Sequence, residues 1–252
     1  MRRFEPNLLP VHIGSVPHTR PPAACDRVLE SFTQIPAWPQ LPKRNFLENM
    51  YVQFSEGFPG VVIEDGRIYV DRTTDLDPAL ERLYLAYLEN DLSYGTTSPD
   101  YAAGLAAFPQ KLSVTRHQPL AIKGQVTGPI SWGLTVVDQN RRPVLYDDIL
   151  ADALAKHLRL KAAWQEQELA KLAPTTIVFI DEPYMSAFGS AHISLNRDQV
   201  VTLLEEVFAG IAGLKGTHCC GNTDWSLLLS TSAEIISFDT YNYAQAFSLY
   251  AG

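Results

Sequence analysis

The sequence predicts an α/β fold of the (β/α) barrel type, and three observations carry that expectation. Apolar runs of strand length at 119–125, 175–180, 215–219 and 233–238 alternate with amphipathic helical stretches. That alternation is the pattern of parallel strands joined by crossover helices. Several of the runs end in reactive side chains: Asp181-Glu182-Pro183, His218-Cys219-Cys220 and Asp239. Polar groups at the carboxyl ends of buried strands are where a barrel of this kind keeps its active site. The length of 252 residues also suits a single domain of that class, spanning 1–252.

Taken in order, Val11-His12-Ile13-Gly14-Ser15 reads as a first strand ending in a turn. Pro17, Pro21 and Pro22 hold the loop that follows, and a helix is expected over 23–32. Residues 35–43 are loop or a short second strand. Residues 45–56 read as a helix with Phe46, Leu47, Met50 and Phe54 on one face. Asp65-Gly66 between two apolar runs predicts a β-hairpin, an insertion at 60–71 on the barrel rim. Asp77 and Pro78 start a helix whose buried stripe is Leu80, Leu83, Tyr84, Tyr87 and Leu88.

The run 119–125 is a buried strand with one lysine, Lys123, and Thr127-Gly128-Pro129 turns out of it. The longest helix is expected over 146–172, with His157 partly exposed on its surface, and Pro174 ends it. The apolar run 175–180 then delivers Asp181-Glu182. Asn196 and Gln199 have capping-box spacing at the start of a helix over 196–213. A short helix at 224–229 separates the last two strands, and one more helix starts near 243. The sum is about six strand–helix units where a closed barrel needs about eight, so the last strands are not expected within this chain.

Composition removes several function classes. A formal charge of −8 argues against nucleic acid or an anionic membrane as partner. No apolar run approaches the roughly 20 residues that span a bilayer. No apolar signal core follows Arg2 and Arg3. Three cysteines, two of them adjacent, make no disulfide framework and point to a reducing cytoplasm.

His218 and Cys220 are two apart in an extended run, so they share a side, and Cys219 faces away. Asp239 ends the neighbouring strand. An imidazole, a thiolate and a carboxylate with an open position form a donor set suited to catalytic Zn2+. A His-x-Cys pair alone is weak, since buried cysteines are common as small hydrophobes; the strand–turn–helix–strand context is what strengthens it. Asp181 can hold an ammonium or take a proton, or it and Glu182 can simply cap the helix that follows. Gly14 and Ser15 can form an ordinary turn or let backbone approach a ligand.

Ile13-Gly14-Ser15, Thr127-Gly128-Pro129, Asp181-Glu182-Pro183 and His218-x-Cys220 occur in this order. The set resembles the catalytic barrel of cobalamin-independent methionine synthase. Cys220-Gly221-Asn222-Thr223 is similar to the corrinoid-dependent thiol methyltransferases of the uroporphyrinogen decarboxylase superfamily. The resemblance implies Zn2+ held by His218, Cys220, Asp239 and a late cysteine. It implies substrate contacts from Ile13, Gly14, Ser15, Asp181 and Glu182, with Asp181 catalytic. The implied reaction, a step of methionine biosynthesis, moves a methyl group from a folate or a corrinoid protein to a thiol such as homocysteine. A homo-oligomer is compatible with it.

Three departures accompany the resemblance. Asp239 stands where methionine synthase has glutamate. Lys43 and Arg44 stand near the place expected for a homocysteine-binding glutamate. The late cysteine is not in this sequence: either the sequence is a shortened form, or a partner chain completes the barrel, or a water or the substrate thiol replaces that ligand. Two other expectations remain: a metal-free decarboxylase-like barrel in which Asp181 polarises the substrate, and a non-catalytic paralogue that binds a small ligand.

Overall fold

The computed structural model describes residues 4–116, 118–190 and 193–250. Residues 1–3 and 251–252, the last of the expected C-terminal helix, lie outside that set. The elements in chain order are α1 (Pro21–Ser31), β1 (Val61–Glu64), β2 (Arg67–Val70), α2 (Asp77–Glu89), α3 (Ala103–Ser113), β3 (Ile122–Thr127), α4 (Pro129–Thr135), β4 (Val137–Asp138), α5 (Asp148–Ala170), β5 (Thr176–Asp181), α6 (Arg197–Phe208), β6 (Leu214–Cys219), α7 (Trp225–Leu229), β7 (Ile235–Phe238) and α8 (Thr240–Ser248). The architecture is α/β, built on a parallel four-stranded sheet of order β3-β5-β6-β7.

Two isolated parallel bridges lengthen that sheet. Ala37 pairs with Lys123 of β3, and Ser15 pairs with Gln40. The backbone bonds Lys123 N–H to Pro36 O, Gln40 N–H to Gly14 O and Val16 N–H to Gln40 O, each 3.0 Å, hold these segments in place. Strand neighbours therefore follow chain order across the sheet, from the Ser15 segment to β7, with no reversal. No closed barrel forms among the described residues.

Every residue of β3 and β5 is buried, as expected for strands covered on both faces. One face carries Ile122, Val126, Val178 and Ile180 into the main core with Leu154, Leu158, Leu204 and Phe208 of α5 and α6. The other face begins with a smaller cluster, Ile35, Ala121, Ile177 and Phe179, covered by Phe4, Leu9, Leu214 and Ile235. Beyond this cluster, towards the carboxyl ends of the strands, the same face turns polar.

The expected hairpin is present as β1 and β2, paired antiparallel with Asp65 at φ 50° and Gly66 at φ 69°. These positive angles match a type I′ turn. The capping box at Asn196 and Gln199 also forms.

Three expectations need correction. Residues 45–56 are not a helix: a 3-10 turn, Phe46–Glu48, is followed by further turns. Asn45 and Asn49 accept the backbone N–H groups of Glu48 and Tyr51, and such local bonds compete with helix propagation. His157 is buried, not partly exposed, because α5 is covered on nearly every side; it pairs with Phe54 O at 2.7 Å. Leu88 lies outside the stripe assigned to it, at 76% exposure.

Candidate active site

Strand register decides which side chains meet. Thr127 of β3 pairs with Asp181 of β5, Asp181 pairs with His218 of β6, and His218 pairs with Ser237 of β7. Residues opposite one another in register project to the same face. Thr127, Asp181, His218 and Ser237 thus form one row across the carboxyl end of the sheet. Lys123 and Gln125 stand below it on β3.

Asp181 is the least satisfied member of the row. Its Oδ1 is buried and accepts no hydrogen bond among the described residues. Burial pushes its carboxyl well above the usual carboxylate range, and the Lys123 ammonium opposes that shift. Lys123 is pushed the other way: burial lowers its pKa, and Asp181 opposes the change. The lysine donates to Ile13 O and to Gln125 Oε1 (3.1 Å) and lies 4.6 Å from the Phe179 ring centre.

His218 is half-buried, and its Nδ1 lies 3.0 Å from Ser237 Oγ. Burial, then the nearby Lys123, lower its pKa, so the ring is held neutral. In the tautomer that donates Nδ1–H to Ser237 Oγ, the neutral imidazole presents the Nε2 lone pair that a metal or a proton requires. Cys220 is exposed, whereas Cys219 is buried and sits in the main core, as alternation requires. Burial raises the Cys219 thiol to about 11, which keeps it inert. Tyr51 adds a half-buried phenol whose pKa is raised by burial and, to a lesser degree, by nearby Glu182 and Cys220.

Glu182 is committed to structure. Its Oε1 accepts Ile130 N–H at 2.9 Å, and its Oε2 accepts Ser131 N–H at 2.7 Å and Ser131 Oγ–H at 2.5 Å. These bonds satisfy the open amino end of α4. The crossing passes directly over Gly128, where a Cβ would stand 2.2 Å from Glu182 Oε1. Thr127-Gly128-Pro129 and Asp181-Glu182-Pro183 are therefore one structural unit.

Asp239 caps α8. Its Oδ1 accepts Asn242 N–H at 3.2 Å and its Oδ2 accepts the Asn242 side-chain amide at 2.5 Å, contacts that lower its pKa. No group of three His, Cys, Asp or Glu side chains is placed to hold a metal ion among the described residues. His218 and Cys220 have the chemistry for zinc; Asp239 is occupied elsewhere.

The Ile13-Gly14-Ser15 turn reaches the same face through Lys123. Gly14 has φ 149°, and a Cβ there would meet Gln40 Oε1 at 2.6 Å and Gln125 Cδ at 2.7 Å. Ser15 is exposed, and Ile13 contributes its carbonyl to Lys123. Near Lys43 and Arg44 the acid of interest is Glu48. It is buried and bound to Arg44, to Leu41 N–H and to Ala103 N–H, so it serves packing.

Sequence reasoning gave no role to Lys123, Gln125, Ser237 or Tyr51. A lysine inside an apolar strand was a readable signal. Ser237 required the register of β6 against β7. No protein-family model matches the sequence, and no curated protein matches it at a significant level.

Proposed function

We propose that this chain is a barrel-type enzyme that transfers a methyl group to a small amino thiol such as homocysteine. Asp181 Oδ1, buried in one row with His218 and without a hydrogen-bond partner among the described residues, is the observation that carries the reading. A buried acceptor without a partner is costly unless a ligand supplies one, and a substrate ammonium would do so. The unreversed strand order supports the barrel assignment, because an open doubly wound sheet reverses its order at a switch point.

His218 and Cys220 are the residues that would hold Zn2+. Bound zinc lowers the pKa of a coordinated thiol and makes it nucleophilic near neutral pH. Ser237 orients the His218 ring, and Asp181 positions the substrate amine. The methyl donor is a folate or a corrinoid protein. The free thiols Cys25, Cys219 and Cys220 favour a reducing compartment such as the cytoplasm. No helix among the described residues is long and apolar enough to cross a membrane.

A second reading is favoured by the commitment of Asp239 to α8 and the raised pKa of Asp181. In it the site works without metal, and a protonated Asp181 donates to a substrate carboxylate or carbonyl. Zinc titration by calorimetry separates the two. Stoichiometric binding that disappears in Cys220→Ser supports the methyltransferase; no binding to wild type supports the metal-free site.

A further inference from the structure

A cavity of about 300 Å³ lies between residues 11–13 and β7, with Lys123 and Phe179 at its inner wall. Val11, Ile13 and Phe238 also line it, and Val11 and Ile13 are each 44% exposed. The volume is at the small end of ligand sites. Apart from Lys123, the wall carries apolar groups, the hydroxyls of Ser237 and Thr240, and His12. His12 is neutral, since burial lowers its pKa to about 4, and its Nε2 lies 3.1 Å from Ala37 O.

We propose that Lys123 forms an imine with a small uncharged aldehyde or ketone that enters this cavity. Three features of the site support it. Lys123 is 2% exposed and lines this cavity. Its two hydrogen-bond acceptors, Ile13 O and Gln125 Oε1, are neutral oxygens rather than carboxylates, so they hold the amine in place without an ion pair. Burial lowers the Lys123 pKa, which raises the share of nucleophile near neutral pH.

The cavity chemistry selects the partner. Among the described residues no second cation lines it to pair with the carboxylate of an oxo acid. Apolar walls suit a branched aliphatic or aromatic carbonyl compound. In the reaction Nζ attacks the carbonyl carbon and the C–N bond forms. The two amine hydrogens leave with the carbonyl oxygen as water, and a C=N bond remains. No oxidant, reductant or metal is required, so the step is independent of the methyl-transfer reading.

The test is reductive trapping on the full chain at pH 7. Wild type is incubated with isobutyraldehyde or with pyruvate, each with cyanoborohydride, and adducts are mapped by peptide mass spectrometry. Isobutyraldehyde should modify Lys123 at least about tenfold more than the exposed Lys171, following the larger neutral fraction of a lysine of lowered pKa. Pyruvate should not show this preference. In urea the preference should vanish, and Lys123→Arg should lose that adduct alone. Labelling of Lys123 no greater than that of Lys171 would overturn the proposal, and equal preference with pyruvate would overturn the assignment of an uncharged partner.

Discussion

Asp181 and His218 face each other in register on β5 and β6, and one of them lacks what the other has. His218 is anchored through Ser237, whereas Asp181 Oδ1 is buried and accepts no hydrogen bond among the described residues. Stability alone explains the histidine's arrangement but not the carboxylate's.

Replacing Asp181 by Asn should therefore separate stability from activity. The folded-state pKa of Asp181 lies above its unfolded value. Its contribution is present at low pH and is lost as pH rises through the folded value. Wild type should lose more melting temperature between pH 5 and pH 8 than Asp181→Asn does. At pH 8 the variant should be at least as stable, while methyl transfer falls about a hundredfold or more. Thermal melts at both pH values check this.

Ser237→Ala should act on metal rather than on folding. It releases the bond at His218 Nδ1 that orients the ring. Losing such a partner costs about 10–100-fold in metal affinity. Zinc calorimetry on folded variant and wild type measures the difference; equal affinities would show that Ser237 does not orient a ligand.

Glu182→Ala should destabilise strongly. It leaves Ile130 N–H, Ser131 N–H and the Ser131 hydroxyl without their acceptor. Each buried orphan costs about 1–3 kcal/mol, so a loss of about 3 kcal/mol or more is expected. Urea unfolding at pH 6 and pH 8 provides the value and shows whether α4 depends on this carboxylate.

Gly14→Ala should cost about 1–3 kcal/mol through its backbone angle, and more through contact with Gln40 and Gln125. Its effect on Lys123 offers a second readout. A displaced Ile13 carbonyl removes an acceptor from that amine, so fluorescence-detected unfolding and trapping yield should change together.

How much of this was legible depended on whether a feature is local. Apolar runs, the hairpin turn at Asp65-Gly66 and the Asn196–Gln199 cap were read from neighbours in sequence, and the structure places them as expected. The alternation of Cys219 and Cys220 followed from strand geometry. The occupation of Asp239 was not legible from its place at a strand end, because Asn242, three residues on, takes the carboxylate as a helix cap. Glu182 could be read as cap or ligand until the approach over Gly128 showed which amino end it satisfies. The burial of His157 was not legible because helix periodicity says nothing of how many layers cover α5. The helix α3, with Pro109 inside it, carried no clean start signal.

The most direct test of the central claim is an assay of methyl transfer to homocysteine by zinc-supplied wild type, with methylcobalamin and methyltetrahydrofolate offered separately as donors. The account predicts methionine formation with one donor, lost in Asp181→Asn and in Cys220→Ser. Absence of methionine from both donors, in protein shown to bind zinc and homocysteine, would contradict it.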